Sequence, residues 1–105
     1  MARLTGAPSP SDLRRLLGAP GCSPGTFLGL GSPSAAEIAG LAGVEWVVLD
    51  LEHGGATLDQ VGPTVQAAAG HSVAVIVRVP QPERSVIGWV LDQGAAGVMV
   101  PRIES

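Results

Sequence analysis

The chain has 105 residues, 46% of them hydrophobic and 14% charged, with a formal net charge of −3. That length holds one domain at most, able to bury roughly 65% of its unfolded surface, and the composition points to a globular, core-rich chain rather than a disordered one. All six basic residues are arginines, spread without a run from Arg3 to Arg102, and Phe27, Trp46 and Trp89 are the only aromatics, which excludes the basic, base-stacking surface of a nucleic-acid binder.

In chain order, residues 1–10 are rich in Ala, Gly, Pro and Ser and read as a flexible N-terminus preceding one domain over 11–105. Ser11 is the expected cap of a short helix from Asp12 to Leu17, stopped by Gly18 and Pro20. Cys22 follows in a Gly/Pro turn. As the only cysteine it permits no internal disulfide, which points to a reducing cytoplasm. With no His or second Cys beside it, it reads as a loop residue rather than a nucleophile. No apolar run reaches the ~18 residues that a membrane span needs, and no apolar core follows Arg3 as it would in a secretory signal. The expectation is a cytoplasmic protein without a membrane partner.

Thr26 to Leu30 is the first predicted strand. A helix follows, with Ser34 and Glu37 as its capping box, Ala35, Ile38, Ala39 and Ala42 on one face, and Gly43 as its stop. Trp46-Val47-Val48-Leu49 is then apolar without interruption, the pattern of a strand buried on both faces in a parallel sheet. Thr57 and Gln60 repeat the capping box, and Leu58, Val61, Val65 and Ala68 recur at helical spacing. Pro63 within them should kink this helix or delay its regular part. Ala74 to Pro80 forms a third strand. A helix over Glu83 to Gln93 turns Val86, Ile87, Val90 and Leu91 inward and stops at Gly94, and Gly97 to Pro101 makes a fourth strand. Strands that alternate with helices imply a parallel sheet. A (β/α)8 barrel takes typically ~250 residues, so the expected fold is α/β, the first four β/α units of such a barrel, truncated at an apolar fourth strand.

Chemistry concentrates where the central strand ends, at Asp50, Glu52 and His53. The carboxyl ends of parallel strands are where such folds place their sites. His53 reads as a general base oriented by a neighbouring carboxylate, against the plainer reading of a structural histidine at a strand end. Arg78 ends the next strand. It reads either as a rim salt bridge to Asp50 or Glu52, or as a planar fork for a substrate carboxylate. The acidic and imidazole trio also resembles a metal cluster, but it fits no sharp ligand signature, and on an extended chain Glu52 and His53 face opposite ways. Finally, Gly29-Leu30-Gly31-Ser32-Pro33-Ser34, some 20 residues before Asp50, mimics a dinucleotide fingerprint. Ser34 stands where the third glycine belongs, and Pro33 removes an N–H from the phosphate cradle.

Several stretches together resemble the HpcH/HpaI aldolase/citrate lyase family of metal-dependent 2-oxo acid aldolases. They are Gly25 to Leu30, the run from Ser32 through Glu37-Ile38 to Gly43, Trp46 to His53, Val77 to Pro80, Leu91 to Gly94, and Gly97 to Pro101. The resemblance implies a (β/α)8 barrel that cleaves a hydroxy-2-oxo acid to pyruvate, or a related 2-oxo acid, and an aldehyde. It implies a divalent metal (Mg2+, Mn2+ or Co2+) whose Glu and Asp ligands lie in the second half of the family's barrel, beyond these residues, so no metal ligand is assigned within this chain. His53 matches the family's catalytic histidine, and Arg78 matches the arginine that binds the substrate's keto or enolate oxygen. Glu52 and Asp50 match supporting residues near the metal. Asp92 matches an aspartate that pairs with a neighbouring subunit's histidine in a homo-oligomer, a hexamer in the family. Phe27 stands where close relatives commonly carry tryptophan. Two other readings remain: a non-catalytic half-barrel that serves as an oligomerisation or interaction module, and a nucleotide-binding domain using Gly29, Gly31 and Asp50.

Overall fold

In the computed structural model, which describes residues 7–18, 23–28, 32–53 and 55–100, the elements are α1 (Pro10–Gly18), β1 (Gly25–Leu28), α2 (Pro33–Leu41), β2 (Trp46–Asp50), a 3-10 turn (Leu58–Gln60) leading into α3 (Val61–Ala69), β3 (Ala74–Arg78), α4 (Arg84–Asp92) and β4 (Gly97–Met99). The four strands form one sheet in chain order, β1-β2-β3-β4, and every pairing is parallel. This is the alternation expected of four consecutive units of a (β/α)8 barrel.

Register decides which side chains share a face. Leu28, Leu49, Val77 and Val98 form one row across the sheet, and Phe27, Val48, Ile76 and Gly97 form the next. Successive residues of a strand point to opposite faces, so the first row meets the helices. There Val47, Leu49, Val75 and Val77 pack with Ala36 and Ala39 of α2, Val61 and Val65 of α3 and Val90 of α4. On the other face Leu13 of α1 packs on Ala74 and Ala96, beside Trp46 and Ile76. Val47, Val48 and Leu49 are therefore no more than 1% exposed, as a strand covered on both sides requires. Each such side chain contributes about 1.5–3 kcal/mol by leaving water.

Helix ends differ from the sequence expectation in instructive ways. α1 is capped by Ser9, not Ser11. The Ser9 N–H donates to Asp12 Oδ2 at 2.8 Å and the Asp12 N–H donates to Ser9 Oγ at 3.2 Å, a reciprocal box that leaves Pro10 in the first turn. α2 likewise starts before Ser34: Ser32 is the cap position and Pro33 opens the helix, because proline's fixed φ and missing N–H suit that place. Of the face assigned to α2, Ala39 is buried and Ala35 packs against the core, but Ile38 is 67% exposed and Ala42 exposed, and Ala36 is buried in their place. The Thr57/Gln60 capping box forms. Pro63 falls in the first turn of α3 behind the 3-10 segment, so it delays the helix without kinking it. Leu58 and Leu91, expected inside, are exposed. Gly43 and Gly94, at φ +94° and +105°, stop α2 and α4 in the left-handed conformation that favours glycine.

Among the described residues β1 begins at Gly25, one residue before the expected start, and β4 ends at Met99, with Val100 outside it. Residues 1–6, Cys22, Leu30 and Pro101, for which the sequence made a flexible terminus, a loop thiol and strand ends, lie outside the described residues.

Candidate active site

β2 and β3 end together, with Asp50 and Arg78 as register partners. Asp50 is 6% exposed. Its Oδ2 accepts a hydrogen bond from Arg78 Nη2. Its Oδ1 accepts the backbone N–H groups of Glu52 at 2.8 Å and His53 at 2.9 Å. One carboxylate thus holds the arginine of the next strand and bends the chain that leaves its own strand, as Asp side chains do when they bind backbone two and three residues on.

That bend overturns the expectation that Glu52 and His53 face apart. The chain is no longer extended there, and Glu52 Oε1 lies 3.4 Å from His53 Nε2. The other ring nitrogen, Nδ1, is 2.9 Å from Arg78 Nη2. A guanidinium only donates hydrogen bonds. The geometry therefore assigns Nδ1 as acceptor and puts the ring hydrogen on Nε2, facing Glu52. Arg78 Nε is 3.7 Å from Glu52 Oε2, beyond hydrogen-bond distance, and is buried without a hydrogen-bond partner among the described residues.

Electrostatics follow the contacts. The hydrogen bond from Arg78, opposed by burial and aided by the N–H groups of His53 and Glu52, holds the Asp50 carboxyl well below the usual carboxylate range. Asp50 in turn raises the Arg78 guanidinium above its ordinary value. The His53 side chain is 69% exposed and Arg78 25%. The result is a fixed planar cation with an accessible imidazole beside it, at the carboxyl ends of the strands. The rim salt bridge of Arg78 to Asp50 is present, and that bridge orients the guanidinium.

Phe27, which the sequence marks only as standing in for a tryptophan, makes a contact that sequence reasoning does not give. Arg78 lies over the ring of Phe27, 5.5 Å from its centroid. Phe27, Val48 and Ile76 form one row, and Arg78 is two residues beyond Ile76 on the same face. Counting by twos along correctly registered strands finds this contact, but register is not legible in the sequence. Asp92 is not brought to the group. It is exposed at the end of α4, the end that feeds the start of β4, while Asp50 and Arg78 lie at the opposite edge of the sheet. Gly29 and Gly31 of the dinucleotide pattern lie outside the described residues, and its proposed acid, Asp50, is engaged by Arg78.

The metal reading of the trio does not fit this geometry. Among the described residues no group of three or more His, Cys, Asp or Glu side chains could hold a metal ion, and Asp50 is already committed to Arg78 and two N–H groups. Among the same residues no helix is long and apolar enough to cross a membrane.

Against known proteins, the profile of the HpcH/HpaI aldolase/citrate lyase family matches residues 24–105. The chain is 35% identical over 96 residues to the 5-keto-4-deoxy-D-glucarate aldolase of Klebsiella pneumoniae, an alignment covering 91% of this chain and 38% of that enzyme. It is 40% identical over 81 residues to the hydroxypyruvate/pyruvate aldolase of Agrobacterium fabrum, covering 77% of this chain and 30% of that one. Its fold superposes on the crystal structure of an HpcH/HpaI aldolase from Desulfitobacterium hafniense with a TM-score of 0.79 at 34% identity, covering 89% of this chain and 36% of the other. The chain thus spans less than two fifths of the length of each. Fold, profile and relatives agree, and the chain belongs to the HpcH/HpaI aldolase/citrate lyase family.

Proposed function

We propose that these residues form the proton-transfer and oxyanion side of an aldolase site, in a carbon–carbon lyase that cleaves a hydroxy-2-oxo acid to pyruvate, or a close relative, and an aldehyde. The observation that carries the reading is the bridging of Asp50 and His53 by Arg78 at the ends of adjacent strands. In the retro-aldol direction a base takes the proton of the substrate's 4-hydroxyl group and the C3–C4 bond breaks, releasing the aldehyde. The electron pair settles on the C2 oxygen as an enolate, and C3 then takes up a proton to give pyruvate. Arg78, held by Asp50, supplies preorganised N–H groups for the enolate oxygen. His53 handles the proton.

His53 Nδ1 lies 2.9 Å from Arg78 Nη2, and Nε2 lies 3.4 Å from Glu52 Oε1. An oxo acid that draws Arg78 Nη2 towards itself frees the Nδ1 lone pair, so binding and activation of the base are one event. The divalent metal of the family's chemistry finds no ligand set among the described residues, so in this reading it is held by carboxylates outside them. Assembly as a homo-oligomer, with Asp92 offered to a neighbouring subunit's histidine, and a cytoplasmic location belong to the same proposal.

The test is deuterium exchange into the methyl group of pyruvate, followed by proton NMR. The protein is expressed from its own gene and supplied with Mg2+, Mn2+ or Co2+. Exchange above the solvent background, lost in the His53→Ala/Arg78→Ala double variant, is expected. Exchange that survives the double substitution, or none with any of the three metals, overturns the reading.

A further inference from the structure

Phe27 is a large apolar residue that remains 53% exposed on a strand whose neighbours are buried. Nothing in the helix-facing core needs it, because β1 turns Leu28, not Phe27, towards the helices. What its ring does touch is the site: the guanidinium carbon of Arg78 stands over it at 5.5 Å, within the distance at which a cation is attracted to the face of an aromatic ring.

The other contacts of Arg78 explain why such a platform matters. Asp50 and His53 both lie against Nη2, while Nε is buried with no hydrogen-bond partner among the described residues and Glu52 stands off at 3.7 Å. The two N–H bonds of Nη2 lie in the guanidinium plane, so Asp50 and His53 hold that plane from one end only, while the Nε end has no hydrogen-bond partner among the described residues. A ring against its face supports the cation along the rest of its length, since the electron-rich face attracts it.

We infer that Phe27 is a positioning residue: its ring sets the plane of the Arg78 guanidinium so that the fork meets the oxo acid in one orientation. This rests on the aldolase reading for its consequence in turnover, but not for the contact itself. The contribution matches a weak, partly exposed cation–π pair, so loss of the ring is expected to raise KM for pyruvate roughly 2–5-fold, with a smaller change in kcat.

The decisive measurement is side-chain NMR of Arg78 in the unmodified protein and in Phe27→Leu and Phe27→Trp. In the unmodified protein the Arg78 Nε–H and Cδ protons should be shifted upfield by the ring current. Phe27→Leu should abolish that shift and broaden the resonances, and Phe27→Trp, which keeps an aromatic face, should retain it. Absence of a ring-current shift in the unmodified protein overturns the inference whether or not Phe27→Leu folds. So does a Trp variant that behaves like the Leu one, or a KM unchanged in Phe27→Leu. If pyruvate exchange fails throughout while the Arg78 resonances still follow the aromatic ring, the positioning role stands and the aldolase reading alone falls.

Discussion

Asp50 and Arg78 face each other across the last paired rung of β2 and β3, and the same carboxylate that grips the guanidinium also closes the turn carrying Glu52 and His53. Strand pairing and site geometry are therefore one structure. Asp50→Asn keeps an oxygen for the backbone N–H groups but loses the charge-assisted bond to Arg78. It should cost about 1–3 kcal/mol of stability, measured by denaturant titration. The pH dependence follows from the direction of the shift. The folded-state carboxyl is held below its ordinary value, so its stabilising contribution is complete above the unfolded pKa of about 4. It is lost as the pH falls below that towards the lowered folded value. The acid limb of the stability curve should accordingly flatten in Asp50→Asn, and an unchanged limb would show that Asp50 gains nothing from its partner.

Arg78→Lys tests the fork itself. A lysine ammonium can still pair with Asp50, so the fold should survive, but it is a point charge that cannot also hold His53 Nδ1 and present a second N–H to a ligand. Pyruvate proton exchange should fall by roughly 10²–10³-fold, the cost of losing a preorganised donor at a developing oxyanion. Equal rates in the two proteins would mean that charge alone, without planar geometry, is sufficient.

The strands and helices were legible because their signals are local. The apolar run of β2, the Thr57/Gln60 box and the stops at Gly43 and Gly94 each depend on neighbours in sequence. The N-termini of α1 and α2 were misplaced because Ser9 and Ser32 competed with Ser11 and Ser34, and the prolines at 10 and 33 decided the contest. His53 and Arg78 could be named from their place at strand ends. The turn that brings Glu52 to His53 could not, because it depends on a buried carboxylate two and three residues back choosing backbone N–H groups over solvent. Phe27 under Arg78 lay further out of reach, being a contact across two strand pairings.

Gly25 marks a second close approach, at the other end of the sheet. The Trp46 indole, its Nε1 donating to the Ser23 carbonyl at 3.0 Å, lies so close that a Cβ on residue 25 would be 2.0 Å from Trp46 Cδ2. Gly25→Ala must displace the indole from that hydrogen bond and from its packing near Leu13 of α1. A loss of about 1–3 kcal/mol is expected, as for other overpacked interiors. Gly43→Ala and Gly94→Ala act instead through the backbone, by forcing a side chain into positive φ. Thermal unfolding of Gly25→Ala alongside Trp46→Leu/Gly25→Ala separates the two causes: removing the indole should recover part of what the added methyl costs.

The sheet's two outer strands set the behaviour of the chain in solution. β1 and β4 each pair on one side only among the described residues, and neither carries a charged residue within its span. Phe27 is 53% exposed and Met99 37%. Such edges lack the lysines, prolines and bulges that keep strands from pairing with another chain. The 105-residue chain should therefore associate with itself as its concentration rises, giving a mass by sedimentation equilibrium that grows with loading and a thermal midpoint that depends on concentration. Thr26→Lys puts a charge on the exposed helix-side face of β1, away from Arg78, and should reduce that association while leaving the far-ultraviolet circular dichroism unchanged. A constant monomer mass with a sharp, concentration-independent transition would show that these edges are protected in a way the strand pattern does not reveal.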